Sequence, residues 1–163
     1  MTDYRKMYEE KLTTADELAA RVESGWSIGM DTSATATPEI ISAIARRAAA
    51  GAVEGLTVQT MLDSYPFEFY ADDSLRGKMT GLSWFSSGGA RRAVNGGWAD
   101  IIPAYYRDIP KIIRANYEYD VVLLSVSPMD KHGYFSLATA SSYIESLLDK
   151  TKRVFIEVNS FQP

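Results

Sequence analysis

The chain has 163 residues, a length that suits one domain with a sizeable core. Its 46% hydrophobic and 23% charged residues fit an ordinary globular composition and exclude a disordered one. A net charge of −4 argues against a nucleic-acid partner, and the absence of cysteine excludes disulfides and thiolate chemistry.

The opening "MTDYRKMYEEKLTTADEL" is charged throughout and has no apolar signal core. No apolar run approaches the roughly 18 residues of a membrane span. A cytoplasmic location without membrane contact is expected.

The first predicted helix lies in "TTADELAARVESG". Thr14 and Glu17 have the spacing of a capping box, and Gly25 suits the stop. "WSIGMD" (26–31) reads as a short buried strand. "TSATATPEIISAIARRAAAG" reads as a polar loop and a helix, with Thr37 at N-cap, Pro38 at N1 and Gly51 at C′. "LTVQTML" (56–62) is a predicted strand, "PFEFYADDSLRG" a short helix and "GLSWF" a further strand. "SSGGARRAVNGG" reads as a Gly-rich turn and a short helix capped by Ser87. "WADIIPAYY" is a strand interrupted at Pro103, and "IPKIIRANY" is a helix. "YDVVLLSVS" (119–127) is the strongest strand, "TASSYIESLLDKT" a helix, and "KRVFIEVN" (152–159) the last strand.

Strands and helices alternate, and several strands are unbroken apolar runs. That pattern predicts the α/β class, with a mostly parallel sheet and helices on both faces. Ligands of such sheets bind beyond the carboxyl ends of the strands. Two loops occupy those positions. "GMDTSATATPE" carries Thr32, Ser33, Thr35 and Thr37 just before a helix start, where a small carboxylate or phosphate would fit. The same hydroxyls could instead only cap and turn the chain. Neither the phosphate-binding G-x-x-x-x-G-K-[ST] pattern nor G-x-G-x-x-G is present.

The second loop is "SPMDKHGYFSL" (127–137). Pro128 ends the long strand, and Gly133 suits a turn that needs positive φ. Asp130 and His132, the only histidine, then stand near the strand's carboxyl end. His132 reads either as a proton carrier or anion contact, or as a loop residue bonded to its own turn. Asp130, two residues away, rarely orients such a ring well. One histidine and no cysteine give no metal-ligand set, so no metal is expected.

Three stretches together resemble a known family. "SPMDKHGYFSLA" resembles the S-P-x-D-x-H-G-Y-x-S signature of the acetyl-CoA hydrolase/transferase family, which includes 4-hydroxybutyrate and butyryl-CoA:acetate CoA-transferases. "RRAVNGGWADIIPAYYRDIP" is similar to its R-x-x-V-N-x-G-R-x-D-Y-x-P stretch, with Trp98 where the family usually has Arg. "KRVFIEVNSFQP" resembles its V-x-x-E-V-N-x-x-x-P strand. The likeness covers nearly the whole chain.

The resemblance implies a CoA-transferase-like (NagB/RpiA-type) domain, with residues 1–163 as a single N-terminal domain. The family's catalytic glutamate, which passes through an acyl-glutamyl anhydride to a CoA thioester, lies in a C-terminal domain absent from this chain. No catalytic residue is therefore expected here, and the chain alone is expected to be inactive. Residues 31–38 and 127–136 are expected to wall the acyl/carboxylate pocket, with Thr32, Ser33, Thr35, Asp130, His132 and Gly133 as substrate contacts. Coenzyme A enters as a thioester substrate and no prosthetic group is expected. The implied partners are an acyl-CoA, a short carboxylate, the C-terminal domain or a companion chain, and further copies in a homo-oligomer.

The glutamates present are weak nucleophile candidates. Glu39 lies in a first helical turn, Glu145 on a polar helix face, and Glu157 in a buried-looking strand where it reads as structural or supporting. "SSGGARR" could bind phosphate through Gly88, Gly89 and Arg91, or be a plain turn. Trp84, Phe85, Trp98, Tyr105 and Tyr106 suit a pocket wall, a domain interface or core. A noncatalytic interaction domain using residues 98–110 is the alternative function, and a sugar-phosphate isomerase-like site is a remoter one.

Overall fold

The computed structural model describes residues 3–139 and 141–163. Strands β1 (Ser27–Met30), β2 (Leu56–Thr60), β3 (Met79–Ser83), β4 (Ala99–Ile101), β5 (Val121–Val126) and β6 (Val154–Val158) form one sheet in the order β4-β3-β2-β1-β5-β6. Every pairing is parallel. The helices are α1 (Tyr4–Lys11), α2 (Ala15–Ala19), α3 (Pro38–Ala49), α4 (Glu68–Ala71), α5 (Gly88–Gly96), α6 (Ile109–Asn116) and α7 (Ile144–Leu148).

Strand β5 shows why apolar runs give this architecture. Val121 and Leu123 enter a core under α3, α4 and α5, with Ile41, Ile44, Phe67, Phe69 and Ala93. Val122, Leu124 and Val126 enter a second core with Ile109, Ile113, Ile144 and Leu147 of α6 and α7. A strand with helices on both sides buries both of its faces, so alternation disappears from the sequence.

The Thr14–Glu17 capping box is present: the Glu17 N–H donates to Thr14 Oγ1 (3.2 Å) and the Thr14 N–H to Glu17 Oε2 (2.9 Å). Helix α3 ends as expected, with the Ala52 N–H on the Arg47 carbonyl and the Gly51 N–H on the Ala48 carbonyl.

Its start differs from expectation. Thr37 holds the N-cap position but makes no capping bond, and its hydroxyl faces Met30 Sδ at 3.4 Å. Glu157 of β6 takes over, accepting the Glu39 and Ile40 N–H groups at 3.1 Å each. A carboxylate from a distant strand thus satisfies the helix's free amides. Glu157→Ala should lower stability by about 1 kcal/mol, the usual cost of a lost cap. A chemical-denaturation midpoint equal to that of the wild type would refute this.

Three further differences concern extent. Helix α1 was not expected because its sequence, YRKMYEEK, has no apolar face; none of its residues is buried. It rests on the histidine loop through Tyr8 and Phe135, whose rings lie 5.7 Å apart. The strand expected in "WADIIPAYY" is only Ala99–Ile101. The helix expected in "TASSYIESLLDKT" is only Ile144–Leu148; Ala140 of that stretch lies outside the described residues.

Candidate ligand site at the carboxyl rim

The strand order reverses between β1 and β5. The chain leaves β1 for α3 on one face of the sheet and leaves β5 for α7 on the other. The two exits therefore lie at the switch point, where loops diverging to opposite faces usually leave a ligand crevice in an open parallel sheet. These exits are the 31–37 loop and the 127–136 loop. They do not start level. Met30 pairs with Leu123, and β5 continues three residues beyond it, about 10 Å. The histidine loop thus rises above the hydroxyl loop, and among the described residues no hydrogen bond joins them.

The 31–37 loop spends most of its hydroxyls internally. Thr32 Oγ1 donates to the Met61 carbonyl (2.7 Å), and Thr35 Oγ1 lies 2.9 Å from Asp31 Oδ2 and 2.8 Å from the Thr32 carbonyl. Thr32, Thr35 and Thr37 are all buried. Ser33 is different: it is half-buried, has φ +47, and its hydroxyl sits 2.8 Å from Ser64 Oγ. A non-glycine residue in the left-handed region is strained. Leu62 (φ +53), just past β2, shares that conformation, so two of the three such residues among those described stand at this rim.

Two carboxyls that the sequence reading passed over anchor the same rim. Asp31 is 1% exposed and accepts the Thr32 N–H at 2.8 Å. Asp63 accepts the Thr60 hydroxyl at 3.0 Å, and Thr60 Oγ1 also meets Tyr70 Oη at 2.9 Å. Burial pushes each carboxyl up to about 6, against the lowering effect of their hydrogen bonds. No cation lies within ion-pair distance of either among the described residues. The available signal was an Asp directly after an apolar strand, in "GMD" and "MLD".

In the second loop Asp130 acts on its own turn. Its Oδ1 accepts the His132 N–H (2.8 Å) and the Tyr134 N–H (2.9 Å), which holds the carboxyl below its usual range. It does not orient the imidazole. Gly133 has φ +89, and a Cβ there would lie 2.8 Å from Tyr4 Cβ, so both conformation and space require glycine. His132 itself is exposed.

Of the six sequence-predicted contacts, Ser33 and His132 present side chains at the surface, while Thr32, Thr35, Asp130 and Gly133 shape the loops. Among the remaining candidates, Arg91 donates to the Ser86 carbonyl (3.0 Å) and braces the "SSGGARR" turn. Trp98 precedes β4 and so lies at the amino end of the sheet, away from the rim, with Arg76 stacked 3.9 Å over its ring. Phe85, Tyr105 and Tyr106 follow β3 and β4 at the carboxyl end and are exposed, Tyr105 at 73%. A groove of about 980 Å³ runs between α1 and the edge strand β6, along Tyr8, Trp26 and Ile156, and reaches the histidine loop at Met129, Gly133 and Phe135. Among the described residues no cluster of His, Asp or Glu could hold a metal, and no helix is long and apolar enough to cross a membrane.

These features define an open, parallel α/β domain with buried polar groups along the carboxyl ends of β1, β2, β3 and β5. The family model of the acetyl-CoA hydrolase/transferase N-terminal domain matches residues 1–163, and the chain belongs to that family. It is 32% identical over 160 residues to the succinyl-CoA:cyclohexane-1-carboxylate CoA transferase of Geobacter metallireducens, covering 98% of this chain and 36% of that protein. It is 29% identical over 161 residues to the butyryl-CoA:acetate CoA-transferase of Anaerostipes caccae, covering 98% and 36%. The crystal structure of RipA from Yersinia pestis superposes with a TM-score of 0.89 at 27% identity, over 99% of this chain and 39% of that one. A 4-hydroxybutyrate CoA-transferase from Porphyromonas gingivalis shares the fold, with a TM-score of 0.71 at 18% identity over 99% and 36%. The chain thus spans about 36% of the length of these curated relatives.

Proposed function

We propose that this domain is the N-terminal part of a CoA-transferase or acyl-CoA hydrolase. The complete protein moves CoA from an acyl-CoA to a short carboxylate such as acetate, so that one thioester is exchanged for another, or lets water take the acyl group and releases free CoA. The reading rests chiefly on one observation: the loops at 31–37 and 127–136 leave the carboxyl ends of β1 and β5, the two strands between which the order reverses, and open parallel sheets bind ligands at such a point. There, Ser33 and His132 face the ligand, and Thr32, Thr35, Asp130 and Gly133 hold them in place.

The nucleophile lies outside these residues. Glu157, the one interior glutamate of the strands, is committed to the start of α3, and Glu145 is exposed on α7 and reaches Arg114 at 3.8 Å. The exposed Leu62, Tyr65, Phe85, Tyr105 and Tyr106 support a companion domain or chain over the rim, because apolar side chains gathered at one edge favour an interface. Homo-oligomer formation and a cytoplasmic location belong to the same proposal.

The test mixes butyryl-CoA and acetate with the complete protein and, separately, with residues 1–163. Acetyl-CoA, or free CoA if water is the acceptor, should form only with the complete protein, and acetate-free reactions distinguish the two. Exchange by residues 1–163 alone, or neither exchange nor hydrolysis by the complete protein, would overturn the assignment.

A further inference from the structure

We propose that Asp31 is the positioning residue of this site, fixing the Thr32–Thr35 turn so that Ser33 stands at the crevice. The proposal rests on the reading of residues 31–38 as a wall of the acyl/carboxylate pocket. Asp31 is the first residue after β1, the strand at the switch point. Its Oδ1 accepts the Thr32 N–H at 2.8 Å and its Oδ2 meets the Thr35 hydroxyl at 2.9 Å, so one carboxyl group ties both ends of the turn. Between those ends Ser33 is held at φ +47. Such a conformation persists only where surrounding bonds over-determine it.

The surrounding bonds fit that role. The Thr35 N–H closes the turn on the Thr32 carbonyl at 3.0 Å. Thr32 Oγ1 ties the turn to the Met61 carbonyl, and Ser33 Oγ to Ser64 Oγ. Tyr143 Oη donates to the Met30 carbonyl at 3.0 Å and holds the end of β1 from the other face. Tyr143, before α7, feels the Asp31 and Asp63 carboxyls together with Tyr119 and Tyr106, and neither carboxyl has a cation partner among the described residues. A lone buried carboxyl costs stability, and a fold gains nothing by it unless the turn it fixes is used. Removing the carboxyl frees Ser33 to relax to negative φ and moves its hydroxyl off the rim.

The test uses the complete protein with butyryl-CoA and varied acetate. Asp31→Ala should raise the KM for acetate at least tenfold with kcat within threefold of wild type. Asp31→Asn, which can bond both ends of the turn, should stay within threefold in KM. A purely structural role would lower the active fraction, and so apparent kcat, without moving KM. Amide hydrogen exchange at residues 32–36 supplies a readout independent of activity: at least tenfold faster in Asp31→Ala and unchanged in Asp31→Asn. Where Asp31→Ala does not fold, Thr35→Val serves in its place and should raise KM threefold or more. An unchanged acetate KM in Asp31→Ala, or equal damage from Asn and Ala, overturns the proposal. Fast exchange in Asp31→Ala together with an inactive wild-type protein would instead sink the transferase reading and leave the turn's dependence on Asp31 intact.

Discussion

Asp31→Asn should stabilise the 163-residue chain by about 2 kcal/mol at pH 7.5, some 4–8 °C in Tm for a domain of this size, and lose that advantage near pH 4.5. Burial raises the Asp31 carboxyl from 3.8 to about 6 in the folded chain. Between those values the folded state holds a proton that the unfolded state has released. The associated stability is complete below pH 3.8 and disappears as pH rises through 6, about 3 kcal/mol for a shift of this size. Asparagine is neutral at every pH and avoids the loss.

The geometry explains why the substitution should fit. The Thr35 hydroxyl has one proton and faces two acceptors, Asp31 Oδ2 and the Thr32 carbonyl. A protonated Asp31, or an asparagine amide, supplies the missing donor and releases the threonine proton to the carbonyl. Asp63, raised to about 6 by burial, adds to the wild-type slope in the same direction. Glu17, lowered to about 2 by the Thr13 hydroxyl and its capping bonds to Thr14, works in the opposite sense, but below pH 4.5 and on the open surface. Urea midpoints from pH 4.5 to 8 would measure the effect. A benefit from Asp31→Asn that is the same at both ends of that range would contradict it.

The fold was legible because its information is local and one-dimensional. Apolar runs such as "DVVLLS", the Thr14–Glu17 spacing and the Gly51 stop each depend on neighbours in sequence. What escaped depends on partners far along the chain. Helix α1 has no apolar face and packs on a loop more than 120 residues later, near Gly133 and Phe135. Thr37 has the identity and place of an N-cap, yet Glu157, over a hundred residues away, takes its work. The site divides in the same way. The loops were visible as hydroxyl-rich or His-bearing interruptions after strands. Which of their side chains turn inward was not, because Thr32 and Ser33 differ little in sequence, yet Thr32 is buried and Ser33 only half-buried. Asp31 and Asp63 were missed because an Asp at a strand end is ordinary until its neighbours are seen to exclude water.

Gly81→Ala should be among the most damaging single-methyl changes in the chain, costing about 3 kcal/mol. Gly81 lies in the middle of β3, between Val58 of β2 and Ala99 of β4. A Cβ there would fall 2.2 Å from Tyr70 Cε1 and 2.8 Å from Cζ. The ring cannot withdraw freely: Tyr70 is 2% exposed, packs 4.5 Å from the Phe69 centroid, and bonds Thr60 through its hydroxyl. Backbone displacement of a central strand is the other escape, and β3 is paired on both sides. Moving Tyr70 also removes a hydrogen bond that restrains the Asp63 carboxyl, whose titration should shift further upward. The damage is thus expected to reach the rim although Gly81 touches no ligand loop. Tyr70→Leu in the Gly81→Ala background should recover part of the loss, with a coupling above 1 kcal/mol between the two positions. Denaturation of the two single variants and the double variant would decide it: a Gly81→Ala chain within 0.5 kcal/mol of wild type would mean that the sheet yields at β3, and the rim carboxyls would then lack the rigid backing that their hydrogen bonds require.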